Sequence, residues 1–492
     1  MTFYVAGSPE AGSRSTRTSA PSGPGSSEVG SGDRTGWIQG GSVRYKRGRI
    51  ETVRMHTSRV PRPRVRRFRL RNGLEVLLAP NPASPTASVW VWYRVGSKNE
   101  HPGITGGAHW LEHMLFQGTP KYAKGEIDRA ILSVGGLLNA FTDLDYTAYF
   151  ATVPREHLDV LIDIEADRMT RALLMPKEVD RERTVVLSER EGNENWPEFR
   201  VEEELYELAF RRHPYRWDAL GYRTDIEHMG AEDLRGYYRR FYGTRNAVLV
   251  VSGGFDPRAV ERDVHRQFSP LPAGGADPTV REIEPPARGE RRSTLSGPGT
   301  TPLIAIAYRS PSIDERSAPA TMLIDVLLGG ETRIFSAGGR SRSGEHPGAR
   351  LYRALVDPGL AVRATSEWRA RVHPGLFTVY AQASAGVALD RVETAIDGVL
   401  DRLARKGPTD AELSEARTKV RRGAALAYEG ATRAGYRLGY FASIMPPGFE
   451  DRLYREILAT RSSEIRDTAR ALFSKDQRAV VRYEVVGGLS VD

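Results

Sequence analysis

The stretch VWYRVGSKNE at residues 91–100 has a counterpart, IAYRSPSIDE, at residues 306–315, an offset of 215. In both copies an apolar run typical of a strand leads through a polar loop into a helical pattern. The two halves also end alike, because Asp233-Leu234-Arg235 and Glu464-Ile465-Arg466 each precede a strand-like run, at an offset near 231. Two matches in the same order predict an α+β fold of two homologous domains, each an antiparallel-rich sheet packed with helices.

The composition excludes several classes of protein. Of the 492 residues, 40% are hydrophobic and 27% charged, which is typical of a globular chain and not of a fibrous or wholly disordered one. No run of 18 apolar residues occurs, so we expect no membrane span. Cysteine is absent, which excludes disulfides, thiolate metal sites and a cysteine nucleophile. Any metal must therefore be held by His, Asp or Glu.

Excess positive charge is confined to the N-terminal tail. Residues 1–71 hold 15 Lys and Arg against 4 Asp and Glu, whereas the remaining residues hold 56 against 58. Because that tail has few apolar residues and no nucleic-acid-binding module, we expect no nucleic acid as partner. Its Gly/Ser/Arg-rich composition predicts disorder over residues 1–60. Two alternatives are a transit peptide and an over-extended start, with Met55 as the true first residue. We expect a bacterial cytoplasmic location, or the mitochondrial matrix if the tail is a transit peptide.

Composition also suggests where the domains begin and end. We assign residues 66–270 to the first domain and residues 293–487 to the second. Residues 271–292 are rich in Pro and Gly and have no periodicity, which predicts a linker. Asn72-Gly73 lies between two strand-like runs and predicts a β-hairpin. Helical patterns follow at residues 106–117, 124–134, 155–173, 176–190 and 198–211.

The first of these helical patterns carries a potential metal site. His109 and His113 are four residues apart, so one helix face presents both imidazoles to an ion at about 2.0–2.1 Å. Glu112 lies close to that face and could act as general base on a zinc-bound water. The alternative is a chance occurrence of the motif. Against it, the offset of 215 places apolar residues at all three corresponding positions, Ile324, Leu327 and Leu328.

A catalytic zinc usually has three protein ligands, so a carboxylate should complete the set. The helix predicted at 176–190 and the residue just beyond it offer several: Glu178, Asp180, Glu182, Glu189 and Glu191. Glu182 and Glu189 share a face two turns apart, and Val185-Val186-Leu187 makes the stretch apolar enough for burial. A buried carboxylate needs a partner, and a metal would serve. The alternative is a solvated, charged helix.

Together these residues resemble the pitrilysin family of zinc peptidases, the inverzincins, whose motif is H-x-x-E-H. The resemblance is closest to the subfamily of the mitochondrial processing peptidase β subunit and its short bacterial relatives, and it spans roughly residues 66–485. Further matching segments are VVLSE at 185–189, GLLNAFT at 136–142, DYTAY at 145–149 and HPY at 213–215, with Gly221.

The resemblance implies a role for each matching residue. Glu189 becomes the third zinc ligand beside His109 and His113, and Glu182 supports catalysis by Glu112. The peptide substrate would add as a strand along an exposed edge formed by Asn139, Ala140 and Phe141.

The resemblance further implies a zinc endopeptidase with one zinc per chain. It would hydrolyse peptides or unfolded precursor segments in a two-subunit chamber, of which this chain supplies two of four domains, half of a pitrilysin-type clamshell. The alternative is a catalytically silent structural subunit of the same fold, as in the core proteins of the respiratory bc1 complex. Silent members lose part of H-x-x-E-H, whereas this chain keeps all of it.

One departure from the family pattern bears on partners. Active members use an Arg and a Tyr, seven residues apart in the silent half, to hold the substrate backbone. Here the Arg position falls on Val356 and the Tyr position on Val362, because the segment is one residue shorter than in the family, and Arg353 lies one turn too early. This implies a second subunit of the same family that supplies the pair, which a homodimer would lack. Arg433 and Tyr440 have the spacing, but we interpret them as a surface helix pair.

A second departure is a polar insertion around residues 336–348, between LGG at 328–330 and RLY at 350–352. We expect a mobile surface loop there. A contact with a partner is the alternative, and a tolerated insertion is the interpretation we adopt.

Overall fold

The computed structural model describes Val60, residues 62–330 and residues 346–486, together with the backbone of three short strands within residues 36–52. These strands, β1 (Gly36–Ile38), β2 (Gly41–Lys46) and β3 (Arg49–Thr52), form an antiparallel sheet of their own. They differ from the prediction of a tail disordered over its whole length, because the segments contain the aromatic and β-branched residues that favour strands. The rest of the predicted tail, Met55 included, lies outside the described residues apart from Val60.

The first large sheet, sheet I, contains six strands in the order β4-β5-β9-β6-β8-β7. Their bounds are β4 Arg66–Arg69, β5 Glu75–Pro80, β6 Thr86–Tyr93, β7 Leu137–Thr142, β8 Thr147–Pro154 and β9 Ala247–Gly253. Only β5 and β9 pair in parallel; the other neighbours are antiparallel. The predicted hairpin joins β4 to β5, and Gly73 at its turn has a φ of +95°. One consequence of this order is that β7 is an edge strand.

The second large sheet, sheet II, repeats this topology without a counterpart of β4. Its strands are β10 Arg291–Gly297, β11 Leu303–Arg309, β12 Ala361–Trp368, β13 Leu376–Ala383 and β14 Arg478–Val485, in the order β10-β14-β11-β13-β12. Val91 pairs with Leu249 in sheet I, and Ile306 pairs with Val480 in sheet II. These pairs differ by the offsets of 215 and 231 read from the sequence. The prediction of a duplicated α+β fold is therefore confirmed.

Fourteen helices are assigned in the described residues. In the first half they are α1 Gly107–Met114, α2 Glu126–Ser133, α3 Leu158–Arg171, α4 Pro176–Glu194, α5 Pro197–Ala209, α6 Arg223–His228, α7 Ala231–Phe241 and α8 Pro257–Phe268. In the second they are α9 Ala318–Gly329, α10 Leu389–Lys406, α11 Asp410–Leu426, α12 Gly430–Ile444, α13 Phe449–Ala459 and α14 Ser462–Leu472.

Residues 271–290 form neither helix nor strand. Residues 331–345 lie outside the described part, so the loop expected around 336–348 stays a prediction. No helix among the described residues has both the length and the apolar character needed to cross a membrane.

Each half covers the sheet of the other with one helix. Helix α5 packs on β10, β11 and β14 of sheet II, and α12 packs on β6 and β9 of sheet I. Along β6, Trp90 and Trp92 join the core beneath α12, whereas Val89 and Val91 join the core beneath α1. Helices α1 and α12 therefore lie on opposite faces of sheet I.

Close packing under α12 depends on two glycines inside the helix. A Cβ atom at Gly435 would overlap the indole ring of Trp90, and one at Gly439 would overlap that of Trp92. Tyr440 packs with its ring against Tyr436 and Tyr146 in the same aromatic cluster. The interpretation of Arg433 and Tyr440 as a surface pair is therefore wrong for Tyr440, which packs in this cluster, whereas Arg433 is exposed.

Candidate metal centre

Helix α1 is fixed at its N-terminus by contacts to its backbone. The Glu100 carboxylate accepts hydrogen bonds from the N–H groups of Gly106 at 2.9 Å and Ala108 at 2.7 Å. Gly221, with a φ of +71°, packs directly on the backbone of Thr105 and Gly106, where a Cβ atom would overlap both. All eight residues of α1 are buried, so its orientation relative to sheet I is set by packing on every side.

Three ligand atoms meet between α1 and α4. The Nε2 atoms of His109 and His113 are 3.3 Å apart, and Oε2 of Glu189 lies 3.6 Å from the first and 3.5 Å from the second. A tetrahedral zinc with ligand bonds of about 2.0–2.1 Å separates its ligands by about 3.3–3.4 Å. The triangle therefore has the size that one zinc ion requires. In the described part of the chain, these three residues are the one set of His, Asp or Glu so grouped.

The electrostatics of the triangle also suit a cation. Burial lowers the pKa of His109 to about 3, so its imidazole is neutral and its ring nitrogen can donate a lone pair. Burial opposes charge on His113 too, but hydrogen bonds to Glu182 and Glu189 outweigh it and raise the pKa of His113 to about 9. The carboxylates of Glu182 and Glu189 thus favour a positive charge at the His113 ring. Imidazole and carboxylate together are a common zinc donor set.

Glu182 contacts the histidine and not the metal position. Its Oε1 lies 2.9 Å from Nδ1 of His113, and its Oε2 accepts a hydrogen bond from Nε2 of Gln117, also at 2.9 Å. A carboxylate on the far nitrogen of a ligating histidine fixes the tautomer and the ring orientation. Glu182, expected from the resemblance to support catalysis, is therefore placed as a positioning residue.

Glu112, the expected general base, is 1% exposed and lies next to the triangle. Burial raises the pKa of its carboxyl to about 7. Its Oε2 accepts a hydrogen bond from Oγ1 of Thr142 at 2.6 Å. Sequence reasoning singled out the segment that contains Thr142 but missed this residue; its place at the end of the edge strand was the available signal.

The three residues expected to hold substrate lie on β7, at the free edge of sheet I. The Ala140 N–H donates to Oδ1 of Asn139 at 2.7 Å. Phe141 is 1% exposed, and its ring packs against Trp90, Trp92 and Tyr146 in the aromatic cluster. The Phe141 side chain is thus part of the core, and β7 can offer a peptide mainly its backbone.

The valines at the family's Arg and Tyr positions lie in the second half. Val356 ends a π-helical turn (Tyr352–Val356), and Val362, 55% exposed, lies in β12. The Arg353 guanidinium lies 3.3 Å from Oε1 of Glu412. Tyr440 donates its hydroxyl to the Ala370 carbonyl at 3.2 Å, on the face of sheet I opposite α1. Arg353 thus pairs with Glu412, and Tyr440 lies across sheet I from the metal triangle.

Comparisons with known proteins agree with this geometry. Residues 75–221 match the family model described as insulinase (peptidase family M16), and residues 228–420 match the one described as the peptidase M16 inactive domain. The chain is 30% identical over 365 residues to an uncharacterized zinc protease of Streptomyces coelicolor, covering 72% of this chain and 74% of that protein.

A second relative and a solved structure extend the likeness. A probable mitochondrial-processing peptidase subunit beta of Arabidopsis thaliana is 28% identical, over 78% of this chain and 71% of that one. The crystal structure of a protease from Helicobacter pylori superposes with a TM-score of 0.79 at 24% identity, covering 86% of this chain and 99% of that one. The chain therefore shares the fold of that protease, and its two domains match the two family models.

Proposed function

The chain belongs to the insulinase family of peptidases, M16, and from this premise we propose that it is the catalytic subunit of a zinc endopeptidase. Its substrates would be peptides or unfolded precursor segments. The observation that carries the proposal is the triangle of His109, His113 and Glu189, sized for zinc, with the buried carboxylate of Glu112 beside it.

Zinc held by these three ligands would polarise the scissile carbonyl and lower the pKa of a coordinated water. The chain's own residues then move the proton. Glu112 takes a proton from the attacking water, whose oxygen bonds to the carbonyl carbon, and passes it to the amine nitrogen as the C–N bond breaks. A buried carboxyl beside the three ligands, held by the hydroxyl of Thr142, is placed for both transfers.

Edge strand β7 would hold the peptide by strand addition. Thr142 at the end of β7 is hydrogen-bonded to Glu112, so a strand paired along β7 passes the base. The Asn139 amide that now accepts the Ala140 N–H would have to turn away when a peptide carbonyl takes its place. Pairing through the backbone implies weak dependence on substrate sequence.

A second subunit would complete the site. The positions that carry Arg and Tyr in the family hold Val356 and Val362, which have no side-chain donor. Arg353 is paired with Glu412, and Tyr440 lies on the face of sheet I opposite α1. The similarity to a β subunit of a processing peptidase supports a heterodimer, in which the partner brings the missing pair.

The test is peptide cleavage by the purified chain, alone and with a co-purifying subunit, next to a zinc assay. We expect one zinc per chain, and activity only with the second subunit. Glu112→Gln should keep zinc and lose at least about a hundredfold in kcat. Glu191→Gln is the control, because that carboxylate is exposed on α4 and is paired with Arg223.

Two other outcomes would each contradict a different part of the proposal. Activity of the chain alone, abolished in Glu112→Gln, would contradict the partner but not the site. Bound zinc without cleavage under any condition would favour the silent structural subunit instead.

A further inference from the structure

We propose that Arg371, in the half without the zinc site, is a positioning residue for Glu112. It would act by holding the turn between β7 and β8. This inference rests on the proposed function, since it concerns the residue assigned there as the base.

The two halves touch through a pair of hairpin turns, residues 143–146 of sheet I and 369–375 of sheet II. Arg371 forms an ion pair with Asp143 across this contact. Its side chain is 5% exposed, and its carbonyl accepts the Ile313 N–H at 2.9 Å, which anchors it in the second half. A second link lies beside it, because Oδ2 of Asp145 accepts the Val372 N–H at 3.2 Å.

A short path leads from this contact to the base. Asp143 directly follows Thr142, whose hydroxyl donates to Glu112 at 2.6 Å. The Asp143 N–H donates to the Tyr146 carbonyl at 2.9 Å and closes the turn. Any displacement of the turn therefore also displaces the Thr142 hydroxyl, because a single planar peptide unit joins Thr142 to Asp143.

The charge on Arg371 is what keeps the turn in place. Burial alone would raise the pKa of Asp143, but the guanidinium of Arg371 holds it well below its usual range. Loss of the guanidinium would leave a largely buried carboxylate without its strongest partner, and such a group moves towards water. The turn would then shift and take Thr142 away from Glu112.

The chain offers a matched control in the same turn. Arg369 also spans the two halves, with its Nη1 2.9 Å from Oε1 of Glu202, but Glu202 lies on α5 and not on the β7–β8 turn. Arg369 also lowers the pKa of Asp143, but Arg371 does so more strongly. Arg369→Met therefore removes an equal charge from the same hairpin and leaves the ion pair between Arg371 and Asp143 in place. Asp143→Asn breaks the pair from the other side with almost no change in volume, should Arg371→Met fail to fold.

The first measurement is hydrogen–deuterium exchange of the zinc-loaded chain, on peptides covering residues 137–146 with residues 107–114 as reference. In Arg371→Met and Asp143→Asn we expect exchange of residues 141–146 to rise about tenfold or more, with the reference and the zinc content unchanged. Arg369→Met should stay within about twofold of the wild type. Unchanged exchange at 141–146 in both test variants would overturn the proposal.

The second measurement is a double-mutant cycle on cleavage. Arg371→Met and Thr142→Val should each lower kcat about tenfold, the scale of one hydrogen bond to a carboxylate, with little change in KM. The double variant should be no slower than Thr142→Val alone, and Arg371→Lys should recover part of the loss. Losses that multiply in the double variant would contradict the path. A wild type inactive with every partner would overturn the proposed function, and the exchange result alone would then decide whether Arg371 holds the turn.

Discussion

Glu182 holds the ring of His113 through a hydrogen bond of 2.9 Å to Nδ1, without reaching the donor triangle. We predict that Glu182→Ala weakens zinc binding about 10- to 100-fold, because His113 loses the partner that fixes its tautomer and orientation. Competition with a chelator of known affinity measures the change. Glu178→Ala, one turn earlier on α4 and paired with Lys124 at the surface, is the control and should bind zinc normally. Equal zinc affinities of Glu182→Ala and the wild type would mean that Glu182 does not contribute to zinc binding.

At this scale the sequence predicted the ligands but not their support. The spacing of His109, Glu112 and His113 is local, so helix geometry alone predicts a shared face. Burial of the corresponding Ile324, Leu327 and Leu328 agrees with the argument that the fold needs no polar residue there. The contact of Thr142 with Glu112 joins residues 30 positions apart, and no local pattern specifies it.

Helix α12 packs closely on the sheet of the opposite half through two of its glycines. We predict that Gly439→Ala lowers the free energy of unfolding by about 1–3 kcal/mol, because its methyl group would overlap the Trp92 indole. Gly236→Ala in α7 has open space around the added carbon and should instead stabilise by up to about 1 kcal/mol. Urea unfolding of both variants measures the opposite signs. A stabilising Gly439→Ala would contradict the close packing.

Five helices of the first half were predicted from periodicity, but the exchange of α5 and α12 was not. An amphipathic pattern shows that a helix face is buried and leaves open which sheet buries it. The two glycines of α12 were the one local sign, since glycine inside a helix needs a packing reason. Val356 and Val362 were informative only through the resemblance, because nothing in their own pattern marks a lost function.

For the whole molecule, buried ion pairs at the contact between the halves make stability depend on pH. Beside Lys98, Arg371 and Tyr215, the pKa of Asp145 is lowered although burial opposes this, and Arg371 lowers that of Asp143. Carboxyls with lowered pKa add stability above the unfolded value of about 3.9, and lose it as pH falls through the folded value. We predict a free energy of unfolding that drops below about pH 4. Urea unfolding of the zinc-free protein at several pH values measures it.

Asp145→Asn separates this contribution from that of other groups. The variant should be less stable at pH 7, and its difference from the wild type should shrink towards pH 2 as Asp145 itself is protonated. A difference that stays constant with pH would mean that the charge of Asp145 does not contribute to stability.

The crossing of α5 and α12 bears on the ancestry of the fold. A single ancestral copy, folded alone, would have left bare the sheet face that now lies under the exchanged helix. Two separate copies could have covered both faces by swapping that helix with each other. The present chain thus has the form of a swapped dimer joined into one polypeptide, with metal-ligating residues in one half and apolar residues at the corresponding positions of the other.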